Sequence, residues 1–157
     1  MKPTSPTQEW LVEHDPLTVV VLHDTVIDAV GYDAGDPYVE TYWLPIIGPS
    51  ALWALRRLTG WLTIQPSGVT VPIAALGAEL GLGHQVARSS SAVRTLARLV
   101  GFDLAAITPD DTLAVRMVLP PLPRRLSLRL PAHMLPAHDR AVQEHRPTNV
   151  EVVRGAA

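Results

Sequence analysis

The stretch 69–119 constrains this chain more than any other, because each piece of it carries its own start and stop signal. Val69, Thr70 and Val71 form a β-branched run that Pro72 must end, since proline cannot donate to a sheet ladder. Ile73, Leu76 and Leu80 then recur at helical spacing, with Gly81 placed to close the helix and Gly81-Leu82-Gly83 free to turn at positive φ. Ser89, Ser90 and Ser91 supply N-cap candidates for a further helix running to about Val100. Two strands are expected near 102–107 and 112–119, joined by the turn sequence Thr108-Pro109-Asp110-Asp111. The stretch therefore reads strand, helix, glycine turn, helix, hairpin.

Around that block the pattern is looser. Gly48-Pro49-Ser50 starts a helix, since proline in the first turn loses no hydrogen bond. Its Leu52, Leu55, Leu58 and Leu62 share one side, while Trp53, Arg57 and Trp61 lie four residues apart on the other. A helix with two apolar stripes needs covering twice. Either another segment of the chain packs over the tryptophans or they form a homodimer interface. Upstream, residues 1–16 read as a flexible arm, 18–22 as a strand, Asp24 as the cap of a short helix to Val30, and 32–38 as a loop. Downstream, Leu122, Leu126 and Leu130 favour a helix, Pro136 opens a last helix to about Arg146, and 148–157 is expected to be disordered. The expected class is α+β, a winged helix-turn-helix over 43–123. An acidic N-terminal arm and strand-helix cap (1–42) precede it, and a helical extension (124–157) follows.

Composition removes several function classes. No cysteine means no disulfide and no thiolate ligand or nucleophile, and no apolar run approaches the ~20 residues of a membrane helix. The first residues lack a signal peptide's hydrophobic core, so a cytoplasmic location is expected, with no membrane partner. Charge is segregated. Residues 1–47 carry a net −7, Lys2 against eight acids, whereas 48–130 carry a net +5. The preference for 12 Arg over one Lys fits an Ala-, Leu- and Pro-rich bias, so position counts for more than residue type. Glycine-serine-glycine nucleophile elbows, paired-histidine zinc motifs and phosphate loops ending in Lys-Ser or Lys-Thr are absent, so no enzyme activity and no cofactor is expected. His133, His138 and His145 are spaced by five and seven, which does not set neighbours on one helix face for a metal.

Projected at about 100° per residue, the helix after Ser90 separates cleanly. Ala92, Val93, Leu96, Ala97, Leu99 and Val100 form the apolar arc; Ser90, Ser91, Arg94, Thr95 and Arg98 form an acid-free polar arc. That division suits a helix seated on a neighbour with its polar face in a DNA major groove. Arg94, Thr95 and Arg98 are the candidate readers, Ser90 and Ser91 the candidates for positioning, and Arg88 and Arg116 the candidate phosphate contacts. Asp110 and Asp111 at the hairpin tip oppose this, since phosphates repel them.

The segments 75–82 (Ala-Leu-Gly-Ala-Glu-Leu-Gly-Leu) and 91–100 (Ser-Ala-Val-Arg-Thr-Leu-Ala-Arg-Leu-Val) resemble the scaffold and reader helices of bacterial winged-helix regulators. Residues 43–52 (Trp-Leu-Pro-Ile-Ile-Gly-Pro-Ser-Ala-Leu) are similar to the entry into the winged helix of DnaD-type primosomal proteins, which use it partly for self-association. The whole pattern is similar to small winged-helix proteins of high-GC bacteria. The resemblance implies a homodimer that binds double-stranded DNA in transcription regulation. The alternative is a protein-interaction module that engages a protein partner through the acidic N-terminal region or the wing.

Overall fold

The computed structural model describes residues 5–145, so the expectation of disorder over 148–157 lies outside the described residues. The fold is mixed α+β, with more helix than strand. Its first element corrects the sequence reading. Instead of a flexible arm, Pro6–Glu13 form helix α1. The reason is local: Ser5 Oγ accepts from the Gln8 N–H while the Gln8 side chain accepts from the Ser5 N–H, a capping box with proline in the first turn. Leu11, fully buried, anchors the helix.

Strand β1 (Leu17–Leu22) is followed by α2 (Thr25–Val30), whose N-cap Asp24 accepts from the Val26 and Ile27 amides as expected. The expected loop after Gly31 opens with a short strand, β2 (Tyr32–Asp33). A π-helical turn, Val39–Trp43, then leads into α3 (Leu44–Ile47) and the long helix α4 (Pro49–Ile64). Gly48 between them takes φ 85°, a conformation only glycine adopts without strain.

Helix α4 is the spine of the core. Leu52, Leu55, Leu58 and Leu62 are buried as the spacing predicts, each worth about 1.5–3 kcal/mol of transfer free energy. Strand β3 (Val69–Val71), α5 (Ile73–Glu79), α6 (Ser91–Gly101), β4 (Ala105–Ile107) and β5 (Leu113–Arg116) follow in the order read from the sequence. The second hairpin strand is split. After β5 the chain bends and Val118–Leu119 leaves as β6 to pair antiparallel with β2.

The four-stranded sheet runs β3-β1-β5-β4. The N-terminal strand β1 is therefore interior, antiparallel to β3 through Leu17↔Val71 and parallel to β5 through Val19↔Leu113. Leu17 and Val19 are buried because β1 is flanked by strands on both edges and packed against α4. The C-terminal extension is one helical turn, α7 (Arg124–Ser127), with Leu122, Leu126 and Leu130 buried, then α8 (Leu135–Glu144). No helix among the described residues is long and apolar enough to cross a membrane.

Candidate nucleic-acid interface

The approach to α6 is built by two devices. Helix α5 ends in a Schellman motif: the Leu82 amide donates to the Gly77 carbonyl at 2.8 Å and Gly81, at φ 72°, donates to Ala78 at 3.2 Å. The following loop folds back so tightly that a Cβ at Gly77 would overlap the Gly83 carbonyl oxygen. The Gly77 in that helix is thus a packing requirement, and the connection to α6 is longer than the three- or four-residue turn of a compact helix-turn-helix. At the α6 start, Ser90 is the N-cap residue with extended backbone, φ −67° and ψ 152°. Its hydroxyl does not cap. It donates to the Ala87 carbonyl at 2.8 Å and accepts from the Ala87 amide at 3.3 Å, closing the preceding turn.

Helix α6 packs against α4, α5, β4 and α1, and this sets which residues remain open. Ala92, Val93, Leu96 and Leu99 are buried as expected. Arg94 and Arg98 are both exposed, and neither meets a carboxylate among the described residues. Arg98 donates through Nη1 to the Ile47 carbonyl at 3.3 Å, which steers its head along the α3–α4 junction and leaves its other donors free for a ligand. Thr95 departs from the expectation. It is 4% exposed, and its hydroxyl donates to Ser50 Oγ at 3.3 Å on α4, so it holds the two helices together. The polar strip of α6 is correspondingly narrower than the sequence projection.

The outer cations are committed differently. Arg116 Nη1 lies 3.2 Å from Asp24 Oδ2 and its Nε donates to the Asp103 carbonyl, so it locks β5 to the α2 cap rather than meeting phosphate. Asp24 is held below its ordinary carboxyl value, first by the Ile27 amide and then by Arg116. Arg88 is exposed but sits 3.4 Å from Glu9 of α1. The hairpin tip comes close to the end of α1 as well, with Asp111 Oδ1 at 3.6 Å from His14 Nε2. The half-buried Ser91 begins α6 beside this same edge.

On the far side of α4, Trp53 is 57% exposed, so no other segment covers it among the described residues; Trp61 is half-buried. Arg57 lies between them, 3.9 Å from Glu79 of α5. Grooves flank this surface, one of them lined by Trp61, Ile64, Val69, Val71 and Ala75 beside the open edge of β3.

One cluster escaped the sequence reading. Two tyrosines, Tyr32 and Tyr38, meet two histidines of the C-terminal segment, and Tyr42 packs beside them. Tyr32 stacks on Tyr38 with ring centroids 3.7 Å apart and on His145 at 3.8 Å; Tyr38 Oη lies 2.8 Å from His138 Nε2 and accepts from the Leu122 amide at 2.9 Å. The Tyr42 ring meets the His138 ring edge-on at 5.0 Å. Burial raises the Tyr38 and Tyr32 hydroxyl pKa values and lowers that of His138, with Asp139 opposing the last shift. The assignment that leaves fewest buried groups unpaired has the Tyr38 hydroxyl donating to an unprotonated Nε2. The only sequence signal is the spacing of Tyr38 and Tyr42; nothing local links position 38 to 138.

Compared with known proteins, the chain matches no family model, no curated protein and no solved structure.

Proposed function

We propose that this chain is a winged helix-turn-helix protein that binds double-stranded DNA as a homodimer and acts in transcription regulation. The observation that carries the reading is the acid-free strip of Arg94 and Arg98 on α6, a helix seated by its aliphatic side on α4 and α5. Arg94 and Arg98 read the groove, Ser90 and Ser91 set the start of α6 against the backbone, and Arg88 meets phosphate once released from Glu9. Thr95 and Arg116 contribute structure only.

The dimer is assigned to Trp53, Arg57 and Trp61. The surface carries a cation and an anion side by side, Arg57 and Glu79, and a twofold axis passing between them would set each against its opposite in the second copy.

Fluorescence anisotropy with a random-sequence duplex, repeated over a salt series, tests the reading. Non-specific binding of about 10⁻⁴–10⁻⁶ M at physiological salt is expected, weakening steeply as salt rises. Arg94→Ala with Arg98→Ala lowers affinity and flattens the log–log salt slope by about 0.9 for each phosphate no longer neutralised. No binding at low salt sinks it. The second reading, a protein-interaction module, is favoured by the exposed Trp53 and by a hairpin tip carrying Asp110 and Asp111.

A further inference from the structure

Helix α1 occupies a position that groove binding by α6 leaves unexplained. It packs along α6 and is fastened at both ends to parts that a duplex would touch. Near its start, Glu9 holds Arg88, two residues before the N-cap of α6. Just past its end, His14 lies against Asp111 at the hairpin tip. The helix thus bridges from the loop before α6 to the tip of the β4–β5 hairpin. It brings two acids, Glu9 and the exposed Glu13, and no cation.

Its attachment rests on one fully buried side chain and several partly buried ones. Leu11 is its one fully buried residue, while Thr7, Gln8, Trp10 and Val12 are half-buried. Trp10 stacks on His14 of its own helix end, ring centroids 4.2 Å apart, and with Val12 is only partly buried against the core. By contrast the residues that follow are held firmly. Asp15 accepts from the Ile73 amide at 2.9 Å, capping α5, and β1 is interior to the sheet. The chain therefore has a fixed anchor at Asp15 and a helix ahead of it resting on α6.

We infer that α1 is an intramolecular occupant of the duplex site: the Glu9 carboxylate holds Arg88 in the place of a backbone phosphate, and duplex binding displaces α1 from α6. This rests on the DNA-binding reading and adds its regulation. With α1 docked, Arg88 is paired with Glu9, an acid stands beside the α6 start, and the end of the helix lies against the hairpin tip. With α1 released, the same edge gains a free cation and loses an acid. Binding then reports the equilibrium between docked and released α1, and any ligand or partner that captures α1 promotes binding.

The chain has no cysteine, which permits a clean test. In the double variant Glu9→Cys with Arg88→Cys, a reducible bismaleimide bridge fixes α1 to the loop before α6 without touching Arg94 or Arg98, and bridged and reduced protein are compared with each other. Bridging is expected to lower duplex affinity about tenfold or more, and reduction to restore it, because only the released state binds. Glu9→Gln, unbridged, is expected to bind about two- to fivefold tighter than wild type, the range an exposed ion pair allows. Hydrogen exchange of the amides in 6–13 is expected to quicken when duplex is added. Equal affinity of bridged and reduced protein, or slower exchange in α1 on binding, overturns the inference while leaving DNA binding intact. Absence of duplex binding in wild type, Glu9→Gln and reduced protein alike overturns the DNA-binding reading and this inference with it.

Discussion

Replacing Tyr38 by Phe removes one oxygen atom and strands two buried partners. The Tyr38 ring is 5% exposed and stacked on Tyr32, so the phenyl ring keeps the packing and the loss is one of hydrogen bonding alone. The Leu122 amide, 2.9 Å from the hydroxyl, loses its acceptor, and His138 Nε2, 2.8 Å away, loses its donor. A buried polar group left unpaired costs about 1–3 kcal/mol, so the pair is expected to cost about 2–4 kcal/mol. That is a large part of the 5–15 kcal/mol typical of a domain. Urea unfolding followed by far-ultraviolet circular dichroism reads it directly. With an m-value of about 2 kcal/mol/M, the midpoint falls by about 1–2 M. A shift below about 0.3 M refutes the claim that this hydroxyl ties the C-terminal segment to the domain. The same cluster sets a pH dependence. Burial lowers the His138 pKa from its ordinary 6.5, so the unfolded chain takes up the proton first. Stability is therefore full above about pH 6.5 and declines as pH falls from there towards the lowered folded value. His138→Leu is expected to flatten that part of the stability curve.

Three further outcomes follow from the geometry. Gly77→Ala drives a methyl into the Gly83 carbonyl and is expected to cost about 2–3 kcal/mol, whereas Gly60→Ala, with open space around it, is expected to add about 0.5–1 kcal/mol; thermal melts of both check the pair. Arg116→Met breaks the ties to Asp24 and Asp103 and is expected to lower the melting temperature by about 2–4 °C, with duplex affinity and salt slope unchanged; a flattened slope would return Arg116 to the phosphate contacts. In sedimentation velocity, Trp53→Ala is expected to shift the protein towards monomer, and association unaltered from wild type would remove that indole from the interface.

The parts legible in the sequence are those whose signals are local. The α5 ending near Gly81, the serine-led start of α6 and the leucine stripe of α4 all depend on residues within two turns, and all stand where the spacing puts them. Polar α1 is harder to read, because a flexible arm and a docked helix share the same composition. The Ser5–Gln8 capping box is the signal that separates them. Within α6, angular projection separates Arg94 and Arg98 from Leu96 but cannot say how far neighbours wrap around. Thr95, at the edge of the arc, is claimed by Ser50 of α4. Arg116 and the tyrosine–histidine cluster depend on pairs 92 and 100 residues apart, and no local pattern encodes such a pairing.

The interior place of β1 has a consequence for how the chain assembles. Its two flanking strands arrive only with 69–71 and 113–116, so the sheet closes late, around a segment that was synthesised first. Pairings of such separation slow folding, because loop closure is completed before the pairing repays it. If β1 is missing from its slot, β3 and β5 face one another across roughly 10 Å, twice the strand spacing, with two ladders unfilled. The first strand of another molecule fits that gap as well as the chain's own. Strand exchange is thus the characteristic misassembly of this architecture, and shortening the chain through Leu22 would leave the slot open in every copy, ready for a β1 peptide added in trans.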